Sequence, residues 1–303
     1  MDVGVIGVGM MGRNHARVYS ELKGVDELWL FDLNAEAAGE VARSTGAVPA
    51  DSMGELLRSV DAVSLCVPTP YHFASAKEVL GAGVHVLIEK PVCLTSQEGE
   101  QLIGLIPDDL VVGVGHIERF NPIVPEIVRI LGDPLYVEMK RHNPFSSRVN
   151  GGSVVEDLMI HDIDIIFHAL FSGPYTMDAA CTFDVCGALF EFGKTPVYLS
   201  ASRRASKKVR SVTIEMEEMT VEGNFMTQEV YVYRKPENYH VEAQRYVQEN
   251  IIEKVMVGKV EPLRTELATF LDCVKSGRPF PVTPAQAVGN VRVCESIARQ
   301  VHA

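Results

Sequence analysis

"DVGVIGVGMMG", residues 2–12, runs a short apolar stretch straight into a G-x-G-x-x-G turn, and that junction decides the fold of the first half. The apolar run reads as a strand buried on both faces, and the glycines after it open a helix. Each glycine has its own physical task. Gly7 permits the tight turn, Gly9 lets a pyrophosphate approach the backbone, and Gly12 lets the helix lie close against the strand. Amide groups near Met10 and Met11 then face phosphates at the positive end of that helix. Glycines also mark ordinary turns, so the surroundings must decide, and they favour a dinucleotide site.

Those surroundings repeat one rhythm to about residue 115. The apolar runs "ELWLFD", "DAVSLCVP", "VHVLIEKP" and "LVVGVGH" are separated by amphipathic stretches such as "NAEAAGEVARSTG" and "ASAKEVLGAG". Buried strands alternating with helices imply parallel pairing with right-handed crossovers, a doubly wound Rossmann sheet. Asp32 stands 20 residues past Gly12, at the end of the second run. A carboxylate there accepts from the ribose hydroxyls and repels a 2'-phosphate, which favours NAD over NADP; a helix-capping role accounts for only part of this pattern. The carboxyl ends of the later runs carry "VPTPYH" (67–72) and "EKP" (89–91), where open parallel sheets bind ligands. Pro68, Thr69, His72, Glu89 and Lys90 therefore join Gly7, Gly9, Met10, Met11, Gly12 and Asp32 as candidate cofactor contacts.

After residue 118 the pattern changes. "LYVEMKRH" is followed by "GGSVVEDLMIHDIDIIFH" (151–168) and then by "PVYLSASR", "VRSVTIEM", "MTVEGN" and "TQEVYVYR" with no helices between them. Consecutive strands imply hairpins, so residues 119–303 read as an α+β domain on an open, mostly antiparallel sheet, beside a Rossmann domain over 1–118. The 151–168 stretch reads as an apolar helix with one titratable stripe. At about 100° per residue, Asp157, His161, Asp164 and His168 share an arc of roughly 60°. Asp164 and His168 read as structural partners. Groups at such spacings can also converge on a metal, but a dinucleotide already supplies a hydride acceptor, and no metal is expected.

Composition sets outer bounds. The 303 residues suit two domains, and 40 acidic against 28 basic residues give a net charge of -12. That sign disfavours nucleic acid and anionic membranes as partners. The six cysteines lack zinc or disulfide-scaffold spacing and read as thiols of a cytoplasmic protein. The N-terminus lacks signal-peptide character, and no apolar run nears the roughly 18 residues of a membrane span.

The near-N-terminal G-x-G-x-x-G, Glu89-Lys90-Pro91 at a strand end, and the Gly-Gly-x(4)-Asp-x(3)-His pattern of residues 151–161 together resemble the glucose-fructose oxidoreductase, inositol dehydrogenase and rhizopine-catabolism (Gfo/Idh/MocA) family. "GHIERFNP" (115–122), "LMIHDIDII" and "EKVMVGKVEPLRTELATFLDCVKSG" (253–277) look like its UDP-N-acetylglucosamine 3-dehydrogenase branch. The resemblance implies that Lys90, Asp157 and His161 surround the reacting carbon, that Lys90-Pro91 is cis, and that the chain forms dimers or tetramers through the C-terminal sheet.

Chemistry supports those roles. An imidazole titrates near working pH, so His161 suits the base that takes a hydroxyl proton, with Asp157 orienting it; Lys90 stabilises developing alkoxide or is itself the base. A diphosphate would need forked cations, and Arg141, Arg148 and Arg119, with Asn121, are the candidates, Lys140 and His142 lying beside them. The run "RRASKKVR" (203–210) reads as a solvated hairpin. The leading expectation is NAD-dependent oxidation of a nucleotide sugar; oxidation of a free polyol and nicotinamide sensing without turnover are the alternatives.

Overall fold

A computed structural model describes residues 1–145, 152–236, 239–242, 245–248 and 250–301. The chain divides into two compact units, 1–120 with 261–295 and 121–260 with 296–303.

The first unit contains β1 (Val3–Ile6), α1 (Met10–Glu21), β2 (Leu28–Phe31), α2 (Ala35–Thr45), β3 (Val48–Pro49), α3 (Met53–Ser59), β4 (Ala62–Leu65), α4 (His72–Gly81), β5 (His85–Glu89), α5 (Ser96–Ile103) and β6 (Val112–Gly115). Its strands are all parallel in the order β3-β2-β1-β4-β5-β6, the doubly wound arrangement whose switch point lies between β1 and β4. β1 and β4 are buried at every position, as a sheet covered on both faces requires.

The second unit contains α6 (Ile123–Ile130), β7 (Tyr136–His142), a helix whose central turn is α7 (Ile160–Ile165), and the strands β8 (Tyr175–Cys181), β9 (Val185–Phe192), β10 (Thr195–Ser202), β11 (Val209–Glu215), β12 (Met219–Asn224), β13 (Glu229–Arg234), β14 (Tyr239–Glu242), β15 (Arg245–Gln248) and β16 (Ile252–Lys254). Eight of these strands form one sheet, β16-β13-β12-β11-β7-β10-β9-β8, in which only β7 and β10 run parallel. Alternate residues of β9 are buried, so the sheet has one packed face.

Two helices close the chain, α8 (Pro262–Ser276) and α9 (Pro284–Val301). Leu263, Leu267, Phe270 and Leu271 of α8, with Ala287, Val288 and Val291 of α9, join the core of the first unit, although the sequence groups them with the second half. Register explains one further departure. Cys181 and Cys186 face each other on β8 and β9 and form a disulfide, so two of the six cysteines are not thiols.

Candidate functional site

The glycine turn is built for close approach. Gly7 has φ +89°, which a side chain would strain, and a Cβ on Gly12 would lie 1.8 Å from the Gly7 carbonyl oxygen. Gly9 differs: nothing lies within 4 Å of where its Cβ would be, and Met10 beside it is 70% exposed. No acidic residue occupies the first turn of α1, and its capping residue Gly9 makes no side-chain hydrogen bond to the turn. Amides at a positive helix end, an open backbone and no competing carboxylate fit a pyrophosphate.

Asp32 meets the same turn from β2. Its Oδ2 accepts from the Val8 N–H at 2.7 Å and its Oδ1 from the Asn34 N–H at 2.8 Å. The cap of α2 belongs to Asn34, whose side chain accepts from the Ala37 N–H, so capping does not explain Asp32. A carboxylate held this way fits a ribose diol. Asp32→Ala removes that acceptor and a brace of the glycine turn together. NAD affinity is expected to fall roughly 10- to 100-fold and preference over NADP to narrow, as titrating both cofactors into the variant would show. An unaltered NAD/NADP ratio would dismiss this role.

At the other strand ends, Pro68 is exposed and Thr69 half-buried in a short turn (Thr69–Tyr71). His72, expected to touch cofactor, is only 1% exposed. Its ring nitrogens lie 2.8 Å from the carbonyl oxygens of Pro91 and Val67, so it ties two loops together. Both acceptors are carbonyls, and a neutral ring donates to only one of them at a time. Burial lowers the His72 pKa, while the Val67, Pro91 and Val92 backbone and Glu89 oppose it.

Lys90 is half-buried, and Lys90-Pro91 is cis. Glu89, expected to touch cofactor, is buried against His15, Nε2 to Oε1 2.9 Å, and its Oε2 accepts from the Lys90 backbone N–H. Sequence reasoning missed His15 and Glu266. Both sit on the buried stripes of their helices, His15 with Gly12, Ala16 and Tyr19 and Glu266 with Leu263, Leu267 and Phe270, and a titratable residue in such a stripe was the available signal. Among the described residues, His15, Glu89 and Glu266 are the group whose ligand-type atoms lie within 4.8 Å of one another; the 157–168 stripe does not converge this way.

The second unit presents His161 on α7, half-buried between buried neighbours. The helix is not uniform. Val155–Met159 and Ile166–Leu170 are π-helical, with the Ile160 N–H reaching back to the Val155 carbonyl and the Phe171 N–H to that of Ile166. Such turns hold more than 3.6 residues, so the ideal 100° stripe is not the true one; π turns also recur at functional sites. Asp157 lies with one carboxylate oxygen 3.7 Å from Arg203 Nη1.

Two of the expected anion contacts are committed inside the unit. Arg141 is 1% exposed, and its Nε and Nη2 donate to Asp162 Oδ1 at 2.9 and 2.7 Å. Period two along β7 explains this, since Val137, Met139 and Arg141 share its buried face. Asn121 is buried and donates to the Phe225 carbonyl at 3.0 Å. Lys140 pairs with Glu138 and His142 with Ser200, each at 2.8 Å. Arg119 is half-buried in the turn Ile117–Phe120, and Arg148, like Gly151, lies outside the described residues. The 203–210 run is not wholly solvated either. Arg203 is 1% exposed and donates to the carbonyls of Gly152 and Phe183 at 2.8 and 2.9 Å.

A parallel six-stranded sheet with an open glycine turn and an acidic second-strand end is an NAD-binding Rossmann unit. Residues 1–117 match the model of the oxidoreductase family with an NAD-binding Rossmann fold, Gfo/Idh/MocA. A UDP-N-acetylglucosamine 3-dehydrogenase of Acidithiobacillus ferrooxidans is 36% identical over 92% of this chain and 90% of its own. A solved structure of a UDP-N-acetylglucosamine 3-dehydrogenase from that organism superposes with a TM-score of 0.89 at 30% identity, covering 99% of this chain and 97% of the other. An inositol 2-dehydrogenase/D-chiro-inositol 3-dehydrogenase of Halalkalibacterium halodurans is 28% identical over 57% of this chain and 53% of its own. The chain belongs to the Gfo/Idh/MocA family and is an NAD-dependent oxidoreductase. No described helix is long and apolar enough to cross a membrane.

Proposed function

We propose that this protein oxidises the 3-hydroxyl of UDP-N-acetylglucosamine to a ketone. The observation that carries this reading is the 36% identity, over nine-tenths of both chains, to a relative of that name. NAD, when bound, supplies the hydride acceptor. Gly9 and the amides of Met10 and Met11 hold its pyrophosphate, and Asp32 its ribose. His161 takes the hydroxyl proton, Asp157 orients that imidazole, and Lys90 places an ammonium where alkoxide charge develops. Arg119 and Arg148 remain the candidates for the UDP diphosphate.

Residues 1–118 serve cofactor binding and 119–303 substrate binding and oligomerisation, apart from α8 and the first part of α9, which pack in the first unit. Oligomerisation fits the second unit's sheet, where Val185 and Leu189 of β9 point outward, 42% and 46% exposed. The similarity to an inositol dehydrogenase supports a second reading, oxidation of a free polyol.

NADH formation with UDP-N-acetylglucosamine, N-acetylglucosamine and myo-inositol separates the two. The nucleotide sugar is expected to exceed the others by about 100-fold in kcat/KM, because charge-assisted contacts to the diphosphate lie far from the reacting carbon. Equal rates without UDP would favour the polyol. NAD binding with no turnover on any substrate would leave a sensor.

A further inference from the structure

The first unit encloses ionisable groups that neither cofactor binding nor proton transfer uses. His15 of α1, Glu89 at the end of β5 and Glu266 of α8 are 0%, 7% and 0% exposed and bring one imidazole nitrogen and two carboxylate oxygens within 4.8 Å of one another. His15 Nε2 sits 2.9 Å from Glu89 Oε1, and Glu89 Oε2 accepts from the Lys90 backbone N–H at 3.3 Å. Gly115 on β6 makes room for this, since a Cβ there would lie 3.1 Å from Glu89 Oε1. Burying such a set is a poor route to stability, because apolar groups of similar shape would usually serve as well. Its contact with the Lys90 backbone N–H points to another purpose.

We propose that His15, Glu89 and Glu266 are positioning residues for Lys90, a buried set that holds a fixed carboxylate against the Lys90 backbone N–H and so favours the ammonium form of that lysine. The inference rests on the reading that Lys90 faces the reacting hydroxyl. His15 Nε2 bonds Glu89 Oε1 at 2.9 Å, and that contact is what fixes the Glu89 carboxylate in place.

The other groups facing Glu89 leave that carboxylate intact. Cys66, after β4, has its thiol pKa raised by burial and by both carboxylates, so it adds no charge. Tyr19 of α1, hydrogen-bonded to Ser64, is likewise kept neutral by burial. His72 of α4 and Lys90 itself act in the same direction as His15. Burial opposes ionisation of Glu89, yet the His15 hydrogen bond and charge, with Lys90 and His72, hold its carboxyl below the usual range.

The test reads Lys90 directly. Reductive methylation with ¹³C-formaldehyde labels the lysines of the full-length protein, Lys90→Arg identifies the resonance, and an NMR titration gives its pKa. Glu89→Gln is expected to lower that pKa by about one unit or more, since it removes the carboxylate, and His15→Leu to lower it less, since it only withdraws the hydrogen bond and charge that hold the Glu89 carboxyl below its usual range. His15→Gln keeps an N–H donor toward Glu89 and should recover part of the shift. The alkaline limb of kcat should move down in the same order. A Lys90 pKa unchanged in folded Glu89→Gln, or no recovery in His15→Gln relative to His15→Leu, overturns the proposal. Glu89→Gln is nearly isosteric and carries the test alone should His15→Leu not fold. If the pKa shifts appear but the wild-type protein oxidises no sugar, the substrate reading fails and this inference stands.

Discussion

Replacing His161 with asparagine is expected to lower kcat on UDP-N-acetylglucosamine by about 10³-fold while leaving NAD affinity unchanged. General-base catalysis contributes roughly 10² to 10⁴ in rate, and asparagine keeps the polarity of the site without a group that accepts a proton near neutral pH. NAD affinity should persist because Gly7, Gly9, Gly12 and Asp32 all belong to the other unit. Lys90→Met is the necessary companion. An alkoxide stabiliser lost from beside a working base lowers kcat but leaves the acid limb of the pH profile, which His161 sets, in place. A base lost outright removes that limb. If His161→Asn keeps more than a tenth of wild-type turnover and Lys90→Met abolishes both rate and limb, the lysine is the base. Isothermal titration with NAD, alongside initial rates from pH 5 to about 10, distinguishes these outcomes.

The parts of this protein legible in its sequence are those that the backbone dictates locally. Gly7 and Gly12 must be glycine whatever surrounds them, because one has positive φ and the other has a carbonyl oxygen where its Cβ would stand. The alternation of buried strands and helices likewise specifies a parallel sheet before any contact is known. The two-residue β3 was too short to register as an apolar run. Partners across space were harder to see. An amphipathic helix shows which face it buries but not against what, so α8 and the first part of α9 were grouped with the wrong neighbours. Arg141 was read from its charge, as an anion contact, when the alternation in "YVEMKRH" already placed it inward with Val137 and Met139. Asp162 lies outside the titratable stripe because it follows His161 directly, about 100° around a regular helical turn, where it meets Arg141 instead. His15 and Glu266 sit inside regular apolar stripes, where one polar residue gives no sign of the partner it meets across space.

Asp162→Ala is expected to destabilise the second unit by about 3–5 kcal/mol, the usual consequence of stranding one member of a buried ion pair. Arg141 and Asp162 are 1% and 2% exposed, and Nε and Nη2 both donate to one carboxylate oxygen, so burial keeps water from replacing that partner. Phe225, whose ring lies 5.6 Å from the guanidinium carbon, offers only a weak substitute. The charge-free double variant Arg141→Met with Asp162→Leu should recover most of this loss, because it removes the stranded cation as well as its partner. Denaturant unfolding of both variants measures the difference, and a single variant within about 1 kcal/mol of wild type would mean that Arg141 finds another partner. Turnover then separates stability from function. The pair fastens α7 to β7 at the residue next to His161, in a helix whose two ends are π-helical and whose rotation is therefore not fixed by regular hydrogen bonding alone. If the pair serves to aim His161, the double variant will be stable and still slow, with kcat reduced and NAD affinity intact. Full recovery of turnover along with stability would reduce the pair to a structural tie and leave the aim of His161 to the packing of Ile160 and Ile163.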